Sequence, residues 1–424
     1  MTRARGRMNN AFDPSDTERL DPQTRELVRE RGERLGPAYR LFYTDPVHVV
    51  RGLGTRLWDA DGNEYLDAYN NVVSVGHAHP RVVAAVTEQM STLCTHTRYL
   101  HEDIVRYAGE LLDSFGGEIG AGHAMFTCTG SEANDLALRI ARYRTGRDGV
   151  IITDEAYHGN SAQTAEISAS LGEHSPLGTW VRQVRVEHLA EDVRAAAADL
   201  HRHGNGVAAF IVDSAFSSDG IYTHDVGLGA AVEAVRDAGG LFIADEVQSG
   251  FGRLGDGLWG YARHGVDPDI VTLGKPMGNG FPVAGLAVRR EVVADFGHDV
   301  RYFNTFGGNT VAIAVAQAVL DVIRDEQLVE NSRRVGSELR AGLVALRERH
   351  PELLGEIRGS GLYVGVDTPD AAAIVNGLRA RRVLISATGP AGNTLKIRPP
   401  LVFSADDVEL ILDALDAVLA QPND

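Results

Sequence analysis

Cysteine is nearly absent: the 424 residues contain two, Cys94 and Cys128, at neither metal-ligand nor redox-motif spacing. A disulfide-dense scaffold is excluded, and a reduced, cytoplasmic setting is the expectation. Apolar runs of membrane-spanning length are missing, and no apolar segment follows the basic start MTRARGR, so neither a transmembrane helix nor a secretory signal is expected. Basic charge is in deficit. Against 58 Asp and Glu stand 41 Lys and Arg, a formal charge of -17, which argues against nucleic acid or an anionic membrane surface as partner. An anionic substrate would need a local basic pocket. No Gly-x4-Gly-Lys-Ser/Thr sequence occurs, so a nucleoside-triphosphate loop has no support.

Glycine, by contrast, is plentiful: 47 residues, above the usual share of roughly 7%, which favours tight turns between short elements. The length allows one large core and a smaller companion. Residues 1 to about 16 are polar and are expected to fray. Asp16 to about Leu35 is charged and rich in helix formers, which predicts one solvated helix. HVVRGLGTRLWDADGNEYLDA alternates apolar and polar residues around DADGN, a hairpin signal. HPRVVAAVTEQMSTL and HEDIVRYAGELLDSF space their apolar residues by three and four, as amphipathic helices do. From about 123 short apolar runs alternate with helical stretches, which argues for a mostly parallel sheet with helices on both faces. From about 311 the chain is helical, then mixed. The expected organisation is an N-terminal segment, 1–75, that joins the smaller domain; a large domain, 76–310; and a C-terminal α+β domain, 311–424. No fixed repeat is present.

Two of the apolar runs end at an ionisable residue. LFIAD ends at Asp245 and DIVTLG runs into Lys275, 30 residues further on. That separation is about one strand-helix-strand unit, so both can face one crevice beyond the carboxyl ends of the strands. A lysine there can condense with an aldehyde, and a nearby carboxylate can keep a pyridinium nitrogen protonated. Pyridoxal phosphate is the cofactor that needs both. TCTGSEAND places Gly130 and Ser131 between a strand and a helix start, where backbone N–H groups and a hydroxyl suit a phosphate. EAYHG puts Tyr157 and His158 after the strand VIIT, where an aromatic ring can stack on the pyridine. Singly, each feature has a plainer reading as a loop charge or a helix cap; their order and spacing together leave that reading small.

These motifs, with GHAHP and FNTFGGN, resemble the class III aminotransferases of the fold type I pyridoxal phosphate enzymes, over nearly the whole chain from about residue 36. The resemblance implies an α/β fold with a mostly parallel central sheet, plus a smaller α+β domain built from the N- and C-terminal segments. It implies Lys275 as the lysine that bonds the cofactor, Asp245 as the pyridinium partner, Gln248 at the ring hydroxyl, and Gly130 with Ser131 at the phosphate. Thr305 matches a residue that reaches the phosphate from the neighbouring subunit, which implies an obligate homodimer with active sites at the interface.

Three departures narrow the expected activity. LKIRPPL has Lys396 where many members have Arg, three residues before a Pro-Pro pair, and Arg398 directly before Pro399. Arg suits bidentate carboxylates, whereas Lys is a point charge suited to phosphate. FIVDSAFSSDG has Asp213-Ser214 where Glu-Pro is usual, and Ser218 where a Glu gates the substrate arginine. NNVVSVGHAHP, THTRYLHEDIVRYA, RVLISATGP and NTLKIRPP resemble a subgroup labelled alanine-glyoxylate aminotransferase 2-like, whose characterised members are phospholyases acting on ethanolamine phosphate or phosphohydroxylysine. The expected function is therefore β-elimination of phosphate from a phosphorylated amino alcohol. The alternative is amino transfer between an amine or amino acid and a keto acid. Lys396, Arg398, Arg98 and Asn71 are the candidate contacts of the substrate phosphate. No metal is expected, since His77 and His79 read as part of a turn.

Overall fold

The structure, a computed structural model, describes residues 10–421. Of the stretch expected to fray, residues 1–9 lie outside the described residues, and residues 10–16 are anchored. Asn10 and Phe12 are buried, the Tyr43 N–H donates to the Asn10 carbonyl at 2.7 Å, and the Phe12 N–H donates to the Leu41 carbonyl at 2.9 Å. The single helix expected over 16–35 is instead a 3-10 turn, Pro14–Arg19, and an α-helix, Pro22–Leu35. The break has a local cause. The Asp21 carboxylate accepts from the N–H groups of Gln23 and Thr24, and Pro22, which lacks an N–H, starts a helix but cannot continue one.

β1 (Val49–Leu53), β2 (Arg56–Asp59) and β3 (Glu64–Asp67) form an antiparallel meander whose β2–β3 turn contains Gly62 at φ 82°. A large sheet follows: β4 (His123–Thr127), β5 (Gly149–Thr153), β6 (Val181–Val184), β7 (Val207–Asp213), β8 (Leu241–Asp245), β9 (Ile270–Leu273) and β10 (Ala284–Val288). Its order is β4-β10-β9-β8-β7-β5-β6. Every neighbouring pair from β9 to β6 is parallel, and β10 alone runs antiparallel, against both β4 and β9. The last part of the chain adds β11 (Ile357–Ser360), β12 (Tyr363–Asp367), β13 (Val383–Leu384), β14 (Ser386–Thr388) and β15 (Thr394–Ile397). Four of these make a second small sheet, β11-β12-β15-β14, while β13 pairs in parallel with β3. Segments from the two ends of the chain thus share one sheet.

The large sheet is buried on both faces, which is why its strands read as unbroken apolar runs. Along β7, Phe210 and Val212 pack with residues of the helices Leu189–Arg202, Leu228–Asp237 and Thr310–Asp325, while Ala209 and Ile211 pack against the helices Gly130–Thr145 and Arg290–Asp299. A separate core joins helix Leu328–Arg349 to the small sheet through Leu339, Leu343, Val364 and Leu395. The parallel register sets Asp213 beside Asp245 and Asp245 beside Thr272, so the tips of β7, β8 and β9 stand in a row. Lys275 follows two residues after β9, on a 3-10 turn.

Candidate active site

Asp245 is buried at the tip of β8 and tightly held. Its Oδ2 lies 2.7 Å from Nδ1 of His158 and accepts from Nδ2 of Asn134 at 2.9 Å, and its Oδ1 accepts from the Val247 N–H at 3.0 Å. Asn134 is itself fixed, donating to the His158 carbonyl at 2.8 Å and accepting from the Thr272 hydroxyl at 2.6 Å. A carboxylate held by these three contacts is fixed in orientation, as a partner for a ring N–H requires. The other ring nitrogen of His158, Nε2, is buried and has no hydrogen-bond partner among the described residues.

Gly130 and Ser131 open the helix Gly130–Thr145. Thr129 caps it, accepting from the Glu132 N–H at 3.1 Å, while Glu132 accepts from the N–H groups of Cys128 and Thr129. The first N–H groups of a helix have no partner in its own ladder, so those of Gly130 and Ser131 are left for an anion. Space there depends on glycine. A Cβ on Gly130 would come within 3.0 Å of Val247, and one on Gly159, at φ 142°, within 2.5 Å of the Ser131 hydroxyl. Ser131 also donates to Oδ1 of Asn160 at 3.1 Å, which ties the loop carrying Tyr157 and His158 to the helix start.

One cavity gathers Lys275, Asp245, Gly130, Ser131, Tyr157, His158 and Gln248. Burial, followed by the positive charge of Arg398, pushes the Lys275 ammonium below its ordinary range, against the opposing pull of Asp245 and Asp213. Burial and then Asp245 raise the Tyr157 phenol. Asn134 and Asp213 line the same cavity, and sequence reasoning missed both as site residues. Asn134 lies four residues after Gly130, one helical turn along the same face, and that spacing was the available signal. Asp213 ends a parallel strand just as Asp245 does; burial, then Asp245, pushes its carboxyl up.

Next to this cavity stand two buried cations. The ammonium of Lys396, on β15, donates to the Ser217 carbonyl at 3.3 Å and lies 5.7 Å from the centre of the Tyr363 ring. Burial, then Arg398, holds it well below its ordinary range. Arg398 donates through Nη1 to Oε1 of Gln248 and lies over Tyr69, 4.7 Å from the ring centre. Asn71 is buried and donates to the same Gln248 oxygen at 3.4 Å. Arg98 and Thr305 do not line the cavity. Both are exposed, Arg98 with its guanidinium 3.8 Å from the centre of the Phe303 ring. His77 and His79 reach different acceptors, Asp67 at 2.7 Å and Glu326 at 3.1 Å, so they do not converge on a common point.

These groups fit pyridoxal phosphate: an amine for its aldehyde at Lys275, a fixed carboxylate for its ring nitrogen at Asp245, and a helix start with glycine clearance for its phosphate. Residues 42–419 match the family model described as aminotransferase class-III. The chain is 36% identical over 446 residues to ethanolamine-phosphate phospho-lyase homolog 1 of Caenorhabditis elegans, covering 94% of each. It is 37% identical over 437 residues to an alanine–glyoxylate aminotransferase 2-like protein of Drosophila melanogaster, covering 93% of this chain and 88% of that one. Its fold superposes with a TM-score of 0.90, at 41% identity, on a phospholyase from Arthrobacter solved in complex with phosphoethanolamine, covering 94% of this chain and all of that one. The chain belongs to the class III aminotransferase family of pyridoxal phosphate enzymes.

Proposed function

We propose that this enzyme is a phospholyase that removes phosphate from a phosphorylated amino alcohol such as ethanolamine phosphate. The balanced reaction consumes one water and yields acetaldehyde, ammonia and inorganic phosphate. The observation that carries this reading is the pair of buried cations: Lys396 and Arg398 meet only neutral acceptors, Ser217 and Gln248, and neither forms an ion pair among the described residues. The Asp213 carboxylate offsets the charge of Lys396 in part but forms no ion pair with it among the described residues, and burial on those terms still costs on the order of several kcal/mol. A dianionic phosphate offsets that cost and favours the ammonium form of Lys396, whereas an ion-paired gate would have to be broken first. The likeness to the Caenorhabditis elegans and Arthrobacter proteins supports the same substrate class.

When bound, pyridoxal phosphate supplies an aldehyde for the substrate amine and a ring that draws electrons from the neighbouring carbon. Asp245, fixed by His158, Asn134 and the Val247 N–H, holds a proton at the ring nitrogen. Lys275, already disfavoured as an ammonium, accepts the proton from the carbon bearing the substrate nitrogen. Lys396 and Arg398 offset the charge that grows on the departing phosphate. Gly130 and Ser131 hold the cofactor's own phosphate at the helix start.

In this reading the enzyme works as a homodimer, with Arg98 and Thr305 facing the partner's site. Supporting it, Tyr99, Leu100, Val105 and Phe306 form an exposed apolar set around these residues. The two cysteines are unpaired, in keeping with a reducing, cytoplasmic setting. No helix among the described residues is long and apolar enough to cross a membrane.

The test is release of inorganic phosphate and acetaldehyde from ethanolamine phosphate by cofactor-loaded enzyme without any keto acid. Release is expected in the parent and should fall at least about 1,000-fold in Lys275→Ala. Amine conversion that depends on a keto acid and releases no phosphate would instead make the protein an aminotransferase.

A further inference from the structure

Gln248 sits three residues beyond Asp245 and touches both the Lys275 cavity and the adjacent Arg398. Its Oε1 accepts from three donors: Nδ2 of Asn71 at 3.4 Å, the Tyr363 hydroxyl at 3.3 Å, and Nη1 of Arg398. An amide oxygen has two lone pairs, so three donors saturate it and decide which end of the amide is which. The NH2 group is the end left for an occupant of the cavity. The donors come from three separate segments: the N-terminal third, β12, and the residue just after β15. Only Arg398 carries charge. Its backbone is pinned, N–H to the Ala68 carbonyl at 2.9 Å, but its Nε is buried without a partner among the described residues. A guanidinium held by one neutral amide is held less strongly than one facing a phosphate dianion.

We propose that Arg398 couples the two halves of the site: it donates to Gln248 while the anion position is empty, turns to phosphate when that position fills, and so alters how Gln248 hydrogen-bonds in the cofactor cavity. Asn71 and Tyr363 keep the amide oriented throughout. Arg398 therefore changes the polarisation of the amide and not its direction: losing a cationic donor at Oε1 weakens the N–H at the other end. Phosphate occupancy is thus sensed at the cofactor before any amine has reacted. This coupling rests on the phosphate-site reading above.

The test uses holoenzyme and inorganic phosphate with no amine. Calorimetry reports whether phosphate binds, and the pH titration of cofactor absorbance reports the surroundings of Gln248 and Lys275. In the parent, saturating phosphate is expected to move the absorbance midpoint by about 0.5 pH unit or more. Arg398→Lys keeps a cation but loses the forked reach to Gln248, so it should bind phosphate without that shift. Tyr363→Phe removes a neutral donor and should retain it. Phosphate binding without a shift in the parent, an equal shift in Arg398→Lys, or loss of the shift in Tyr363→Phe would overturn the coupling. Failure of the parent to bind phosphate at all would overturn the phosphate-site reading itself.

Discussion

Asp245 and Lys396 illustrate how burial gives single residues their chemistry. Asp245 accepts three hydrogen bonds within the chain, from His158, Asn134 and Val247. Asp245→Asn keeps the shape and loses the charge, so phosphate release should drop by a factor of about 100 or more while the fold survives; paired circular dichroism and activity measurements would check this. Lys396 carries the opposite problem, a cation buried against a carbonyl and a ring. Lys396→Met keeps the bulk and removes the ammonium. Loss of a charge-assisted contact of roughly 1.5–3 kcal/mol should raise KM for ethanolamine phosphate about 10- to 100-fold. A change in kcat alone would argue against Lys396 as the phosphate contact.

At the scale of elements, the segment after β7 links the two domains' contributions to the site. Ser217 offers its carbonyl to Lys396 and Thr388, Gly220 offers its carbonyl to Arg358, and Asp219 reaches back to the Tyr157 loop. Phe216 and Ile221 take positive φ, 49° and 66°, a strained conformation for such bulky residues that the surrounding bonds must hold. Asp219 is buried, accepting from the Thr153 hydroxyl at 2.9 Å and the Glu155 N–H at 3.0 Å, and burial raises its carboxyl to about 7. The folded value lies above the unfolded one, so this group's stabilisation is complete below about pH 4 and is lost as pH rises through 7. In Asp219→Asn the amide can accept from Glu155 and donate to Thr153 after the hydroxyl turns. The variant's Tm should match the parent's trend below about pH 4 and exceed it by a few degrees at pH 8, as thermal melts across that range would show.

The whole molecule leaves one face apolar. Tyr99, Leu100, Val105, Phe303 and Phe306 are exposed around the segments that carry Arg98 and Thr305. Large exposed apolar sets mark interaction surfaces. Phe306→Glu should shift the protein from dimer to monomer in sedimentation velocity and weaken cofactor retention; a monomeric parent that keeps its cofactor would overturn the shared-site reading.

The α/β class was legible because β5, β7, β8 and β9 are buried on both faces and so are written as unbroken apolar runs. The pairing of Asp245 with Lys275 was legible because parallel strands one crossover apart end on the same side. Local patterns also carried the hairpin around Gly62, whose positive φ needs no distant contact. What sequence order alone left open was every choice that depends on residues far apart in the chain. Adjacent carboxylates in ADE look equivalent as letters, yet neighbouring residues at a strand end point opposite ways: Asp245 lines the cavity, while Glu246 is buried against the N–H groups of Gly260 and Tyr261, its carboxyl raised by burial to about 7. Asn10 and Phe12 read as frayed because their partners, Tyr43 and Leu41, are some 30 residues away. Periodicity and the position of ionisable residues at the ends of apolar runs by themselves determined the layered sheet and the meeting of Asp245 with Lys275 in one cavity. Only the tertiary structure decided that Asn71, Tyr363 and Arg398 meet on one oxygen of Gln248, because that meeting needs three segments folded over each other.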